Sequence, residues 1–191
     1  MRLLLALTVA VILGVTTAQA DAAAGGMGQT SASRALSMAL NAGSTWAILA
    51  IAVGWWIRRP IAGAISAALA LAVATTAYYL YGLGFGDRAD LGISGIATAA
   101  GRWALVALAI GPVLGALGVL ARSSTKLGVI ACLAPVVGMG LELTVRHRLR
   151  LNTFAVDPWI GWAQVGMFCG AGVFSLALLV VRRRSQISRA G

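Results

Sequence analysis

Charged residues are scarce in this sequence. Only 10% of its 191 residues are Asp, Glu, Lys or Arg, whereas about a quarter is usual in a soluble domain. Acidic residues are the scarcest, since five Asp and Glu stand against 15 Lys and Arg. So few charges cannot cover a water-facing surface. The composition therefore excludes an ordinary soluble domain and predicts that lipid is much of the protein's solvent.

Residues that could act in catalysis or bind a metal are also few. His147 is the only histidine, which excludes haem ligation by two histidines, and Cys132 and Cys169 lie in separate apolar runs without a CxxC spacing. Asp87 and Asp90 form a loose acidic pair with no evident third ligand. HExxH, Walker A and GxSxG motifs are all missing from the sequence. We therefore expect no enzyme activity, no cofactor and no metal site.

Long apolar runs are what the sequence has in abundance, with 60% hydrophobic residues. A helix needs ~20 residues to cross ~30 Å of hydrocarbon, and a segment in lipid must satisfy its own backbone hydrogen bonds. None of the runs alternates polar and apolar residues as a strand does. We predict an all-α integral membrane bundle, one membrane domain over 1–191, with about six transmembrane helices at 3–20, 44–57, 61–81, 102–120, 126–145 and 159–181.

The beginning of the chain has two interpretations. Ala18-Gln19-Ala20 before Asp21 resembles the cleavage site of a signal peptide that follows a short apolar run. Cleavage there would leave five helices, and the other spans would keep their orientation. The alternative is a retained first helix.

Two connections between the runs are rich in small residues. The connection 21–43 predicts a flexible outer linker, and its end at 33–40 is compatible with a short interfacial helix. The connection 82–101 contains six glycines and predicts an irregular loop.

Basic residues lie mainly in short connections, which is the pattern that orients helices in a membrane and not that of a nucleic-acid surface. With the N-terminus inside, the outer connections hold six bases and four acids. The inner connections and the basic tail 182–191 hold no acid and nine bases, which are Arg2, Arg58, Arg59, Arg122, Lys126, Arg182, Arg183, Arg184 and Arg189. We therefore expect both termini in the cytoplasm. Because 14 of the 15 bases are Arg and Ala and Gly are abundant, the composition is typical of a GC-rich bacterial genome, and we expect a bacterial plasma-membrane protein. From the apolar runs and the placement of the bases, we expect its partner to be the lipid bilayer and not nucleic acid.

Glu142 is the only acidic residue inside a predicted span. An intramembrane acid is energetically costly and is by default a hypothesis of a ligand or proton site. Arg146 lies four residues further on, hence on the same helix face, and can neutralise Glu142 as a structural pair. Both interpretations remain open.

Pro112 and Pro135 lie near the middle of the fourth and fifth spans. Each proline frees a backbone carbonyl one turn earlier, and freed carbonyls in mid-membrane build binding sites in broken-helix transporters. The alternative is a pair of kinks packed through neighbouring glycines. Tyr78, at the outer end of the third span, belongs either to an aromatic belt or to a ligand-facing wall near Glu142 and Gln164.

A Trp-Ala pair followed by Gly recurs in segments 46–54, 103–111 and 162–170. Duplication of a two-helix hairpin would produce this pattern, and so would the compositional likeness of Ala- and Leu-rich spans. The Gly111-x-x-x-Gly115 and Gly166-x-x-x-Gly170 motifs permit close helix approach, either inside the chain or in a homo-oligomer.

Short motifs along most of the chain suggest a relationship. They are GVTTAQ at 14–19, GSTWAILAIAVG at 43–54, Tyr78-Tyr79, Gly111-Pro112 with Gly115 and Gly118, and the late Glu142. Together they resemble a family of small actinobacterial membrane proteins that is known as a domain of unknown function. The resemblance implies a retained first helix and assigns no activity.

A second similarity concerns Ala6-x-x-x-Ala10 in the first span. It is similar to the small-residue contact of the substrate-binding subunits of energy-coupling-factor vitamin transporters, which are also six-helix proteins of about this size. The similarity implies binding of a small solute.

Two function classes therefore remain, because no motif supports an enzyme. We expect a membrane scaffold or assembly partner, which contacts other membrane subunits or a second copy of itself. The alternative is a small-solute binding or transport subunit. Its candidate ligand site, or a packing site under the first interpretation, consists of Glu142, Arg146, Pro112, Pro135, Gln164 and Tyr78.

Overall fold

The computed structural model describes residues 1–25, 30–85, 92–148 and 158–190. This part of the chain is helical and contains no strand. Its helices are α1 (Arg2–Gly25), α2 (Ser31–Leu40), α3 (Gly43–Ile57), α4 (Pro60–Phe85), α5 (Gly92–Leu120), α6 (Lys126–Arg148) and α7 (Pro158–Ala190). Five of them are long and apolar enough to cross a membrane, and α2 with α3, bent by 44°, makes a sixth candidate span. The predicted all-α membrane bundle is thus confirmed.

Several helices are longer than their apolar runs. α1 continues through Ala20 to Gly25, and α2 is helical, so most of the expected linker 21–43 is ordered as helix. The expected loop 82–101 is helical from Gly92 onward. Ile96 explains the second difference, because it is buried against Tyr78 and Tyr79 of α4. This packing outweighs the low helix propensity of the glycines around it.

Helices α1, α3, α4 and α5 form a core in which backbones touch; we call them the four-helix core. A Cβ added at Gly54 of α3 would overlap the backbone of Gly115 in α5, and one at Gly118 would overlap the carbonyl of Ile51. A Cβ at Gly14 of α1 would overlap the carbonyl of Ala74 in α4. Glycine is therefore required at these crossings, where helices approach more closely than any side chain allows.

The Gly111-x-x-x-Gly115 motif is part of this core. A Cβ at Gly111 would lie 2.6 Å from the Cα of Ala68, and one at Gly115 would lie 2.7 Å from the Cβ of Ala67. Of the two interpretations of this motif, the structure shows packing inside the chain.

Helices α6 and α7 pack mainly on each other, and we call them the α6–α7 hairpin. A Cβ built at Gly138, Gly166 or Gly170 meets no atom within 4 Å. Within the described chain, the Gly166-x-x-x-Gly170 motif therefore does not pack against another helix. The hairpin meets the core chiefly near its two ends, which we call the Glu142 end and the Arg182 end.

Polar contacts hold the Arg182 end of the hairpin. Arg182 donates from Nε to the carbonyl of Ser123 at 2.8 Å and from Nη2 to that of Thr125 at 3.1 Å. The Cys132 thiol lies 3.3 Å from the carbonyl oxygen of Ala121. These contacts bind the hairpin to the connection between α5 and α6.

Candidate functional site

A break between α2 and α3 organises the Glu142 end. α2 begins with a capping box between Thr30 and Ser33, and α3 starts again at Gly43 after the extended Ala42. Side chains of α3 satisfy the last carbonyls of α2, since Trp46 Nε1 donates to Leu40 at 2.9 Å. The restart leaves the first N–H groups of α3 without partners in their own helix.

Glu142 of α6 supplies the missing partner. Its Oε1 accepts from the Gly43 N–H at 3.1 Å, and its Oε2 accepts from the Ser44 N–H at 2.8 Å. A carboxylate is favourable at this position, because the N-terminus of a helix carries partial positive charge. Glu142 therefore joins the hairpin to the core as the cap of α3.

Arg146 completes the Glu142 cap. Its Nη2 lies 2.9 Å and its Nε 3.1 Å from Glu142 Oε1, as the i, i+4 spacing predicts. Glu142 is thus neutralised from two sides, by the helix terminus and by the guanidinium. The structure shows that the pair exists, and its role in ligand binding stays a prediction.

A second acid, Asp21, joins three other segments at the same end. Its carboxylate accepts from Ser37 Oγ of α2 at 2.6 Å, from Asn41 Nδ2 at the break at 2.5 Å, and from the Tyr78 hydroxyl of α4. Asp21 is the last-turn residue of α1 that fixes α1, the break and α4 relative to one another. No pattern in the sequence predicts these contacts of Asp21.

A cavity of about 570 Å³ lies beside these two polar clusters, between α3, α4 and α5. Its volume is in the range of small-molecule sites, which is about 300–1,000 Å³. Arg146 of α6 also faces it. The lining consists of Asn41, Gly43, Trp46, Ala47, Leu71, Thr75, Tyr78, Tyr79, Trp103, Val106, Ala107, Ile110, Leu114 and Arg146.

Aromatic rings form much of the cavity wall and are held in place by one another. Trp46 and Tyr78 pack edge to face with ring centroids 6.5 Å apart, and Tyr78 packs in the same way on Tyr79 at 5.0 Å. Such aromatic pairs contribute about 0.5–1.5 kcal/mol beyond the area they bury. These contacts therefore restrain the rings of Trp46, Tyr78 and Tyr79.

The cavity has a polar end and an apolar end. The polar end consists of Asn41 and Gly43 at the α2–α3 break and of Arg146 from α6. The apolar end is marked by Leu114, which lies 11 residues beyond Trp103 on α5. At 1.5 Å per residue, this places Leu114 about 16 Å further along the helix axis than Trp103. Trp103, Val106 and Ile110 are exposed, so the cavity is a groove open along α5 and not a sealed chamber.

The structure gathers some of the predicted site residues and separates the others. Tyr78 and Arg146 line the cavity, and Glu142 binds Arg146. Pro112 and Pro135 lie inside the continuous helices α5 and α6 and do not line it.

Gln164 is elsewhere, on the buried side of α7. It is 5% exposed, and its side-chain nitrogen has no hydrogen-bond partner among the described residues. Asp87 and Asp90, the loose acidic pair, lie outside the described residues. Within the described ranges, no three His, Cys, Asp or Glu side chains are grouped closely enough to hold a metal.

Sequence reasoning missed the tryptophans and the residues at the break. Trp46 and Trp103 hold equivalent positions in the Trp-Ala-to-Gly pattern, and both line the cavity, whereas the third, Trp162, does not. The repeated Trp-Ala pair was thus the available signal. Asn41 gave no signal, because the break was expected to be a linker.

Comparisons with protein-family models, with curated proteins and with solved structures find no match to this chain.

Proposed function

We propose that this chain is a membrane protein that binds a small amphipathic molecule in the cavity between α3, α4 and α5. The observation that carries the proposal is the cavity of about 570 Å³, aromatic and apolar along most of its length, with polar groups at one end. A ligand of this kind places its apolar body between Trp46 and Trp103. Its polar head then lies at Asn41 and Arg146.

The positive charge of Arg146 determines which polar head groups a ligand of the cavity can carry. A guanidinium has five N–H donors, and the contacts to Glu142 occupy two of them. The remaining donors suit a carboxylate, a phosphate or a carbonyl oxygen, which is the chemistry that guanidinium groups recognise. Glu142 holds the guanidinium in position, so little conformational entropy is lost when a ligand binds.

The orientation belongs to the same proposal. The bases at the Arg182 end and in the α3–α4 connection favour a cytoplasmic location for that end, in the plasma membrane of a bacterium. The cavity then opens on the outer half of the bilayer. A ligand would enter from the outside or sideways from the lipid.

A role as an assembly partner is the second candidate. It is favoured by the α6–α7 hairpin, where Gly138 and Gly166 leave open space on exposed helix surfaces that a partner helix can approach. Such a partner would not bind through the Ala6-x-x-x-Ala10 motif of α1. Ala6 and Ala10 are 2% and 0% exposed and pack inside the four-helix core, so the likeness to energy-coupling-factor subunits does not extend to a free contact surface.

The test is mass spectrometry of small molecules that co-purify with the protein from mild detergent. Val106→Trp places a large ring at the cavity wall without overpacking the core, because Val106 is exposed along the groove. Leu108→Trp is the matched control on the same helix, exposed and outside the cavity.

The proposal predicts an amphipathic molecule with an acidic or carbonyl head bound to the parent and the Leu108→Trp variant. It predicts loss of that molecule from folded Val106→Trp protein. Equal retention by the two variants, or a parent protein that carries no such molecule, would contradict the proposal.

A further inference from the structure

α3 ends in a residue with an unusual backbone conformation. Arg58 has φ 69° and ψ −11°, and it is the only residue other than glycine with positive φ in the part of the chain that the structure describes. Its N–H donates to the carbonyl of Gly54 at 3.2 Å, which closes the helix. Glycine is the usual residue at this position, because a side chain is strained there. Arg58 thus holds a backbone conformation that glycine adopts more easily.

Two further arginines approach the last turn of α3. The Arg122 guanidinium, just beyond the end of α5, lies 4.8 Å from the centre of the Trp55 ring. Arg2, at the start of α1, donates from Nη1 to the carbonyl of Trp56 at 3.2 Å. Three arginines from separate segments therefore lie at one helix terminus, two of them with their guanidinium groups against its last turn.

The charges around this terminus favour an anion. The two acids that the structure describes, Asp21 and Glu142, lie at the opposite end of the bundle. The partial negative charge of the helix C-terminus, equivalent to about half an elementary charge, balances only part of the three positive charges, and an anion would balance more of them. A guanidinium fork also matches the geometry of phosphate oxygens.

The surroundings indicate a lipid as the source of this anion. Trp56 is 41% exposed beside the three arginines, and a tryptophan at a helix end is typical of the interface between hydrocarbon and head groups. Basic groups at that depth are attracted to anionic lipids.

We propose that Arg2, Arg58 and Arg122 bind the phosphate of an anionic phospholipid, whose chains lie along the exposed face at Trp56. The site is independent of the cavity at the Glu142 end. It explains why arginine and not glycine ends α3.

Native mass spectrometry tests the site by titrating the full chain in neutral detergent with phosphatidylglycerol or phosphatidylcholine. Arg58→Gly removes the charge and the backbone strain together. We expect its thermal stability in phosphatidylcholine bilayers to equal or exceed that of the parent, while its preference for phosphatidylglycerol falls about fivefold.

Arg184→Gln is the matched control, because it removes one exposed charge from the same end without touching α3. We expect it to change the lipid preference by less than about twofold, since the attraction of a distant charge is screened. Arg2→Gln, at an exposed position, is a second site variant and should behave like Arg58→Gly.

Equal losses of phosphatidylglycerol preference in Arg58→Gly and Arg184→Gln would overturn the proposal. They would indicate that anionic lipid is attracted to the basic surface in general and not to this site. An unchanged preference in both Arg58→Gly and Arg2→Gln would also overturn it. So would competition by free glycerol phosphate as strong as that by the lipid.

Discussion

The four-helix core and the α6–α7 hairpin are held by different interactions. In the core, backbones touch at glycine crossings such as Gly54 with Gly115. The hairpin is attached by side-chain packing, in which Cys132 and Leu178 lie in one apolar cluster with Ile51 of α3, and by polar contacts through Glu142 and Arg182. Glycines on its surface meet open space. Lipid tails are as apolar as leucine, so burial of apolar surface does not by itself drive helices together. Close packing of helix backbones at glycines occurs in the core, whereas the hairpin depends on polar contacts together with ordinary side-chain packing.

The largest effect is expected at a core crossing. Gly54→Leu would force a side chain into the backbone of Gly115, so we expect a loss of about 3 kcal/mol or more and little folded protein. Gly170→Leu, on the hairpin surface, meets no neighbour and should change stability by less than about 0.5 kcal/mol. The yield of monodisperse protein and its thermal unfolding in detergent measure both. Similar losses of yield and thermal stability from the two substitutions would contradict the difference between the core and the hairpin.

An intermediate effect is expected at the Glu142 end. Glu142→Ala removes the cap of α3 and leaves the charge of Arg146 unbalanced, at a cost of about 2 kcal/mol. Hydrogen exchange should show faster opening of the Gly43 and Ser44 amides while the core crossings remain protected.

The matching double variant sharpens this prediction. Glu142→Gln with Arg146→Gln removes both charges, so it should recover part of the stability lost in Glu142→Gln alone. Strictly additive losses would mean that the pair contributes nothing as a pair.

The smallest effect is expected at the Arg182 end. Arg182→Gln removes donors to the carbonyls of Ser123 and Thr125, and we expect a loss of about 1 kcal/mol because the site is partly exposed. Arg183→Gln, fully at the surface, should leave the unfolding temperature unchanged. The difference between their unfolding temperatures in detergent is the measurement, and a larger shift from Arg183→Gln would contradict the assignment.

Local patterns in the sequence predicted much of the fold. The spans followed from the length of the apolar runs, and the Glu142–Arg146 contact followed from a spacing of four residues on one helix. The Gly111 and Gly115 pair was predicted as a packing motif with two possible partners, and the structure places it against α4.

Contacts between segments that are distant in the sequence could not be predicted from local patterns. Glu142 caps a helix that starts 99 residues earlier in the chain, and no local pattern marks such a pair. Ile96 extends α5 only because it is buried against tyrosines of α4. The cavity is lined by residues of α3, α4 and α5 that are far apart in the sequence, so it depends on helix geometry and not on a motif.

The central claim is that the cavity between Trp46 and Trp103 holds an amphipathic molecule. A crystal structure of the full chain, grown in a lipidic phase from protein purified with its native ligands, tests this claim most directly. We expect density along the aromatic wall, with a polar head within hydrogen-bond distance of Arg146. A cavity closed by the rings of Trp46 and Trp103, with no molecule between them, would contradict it.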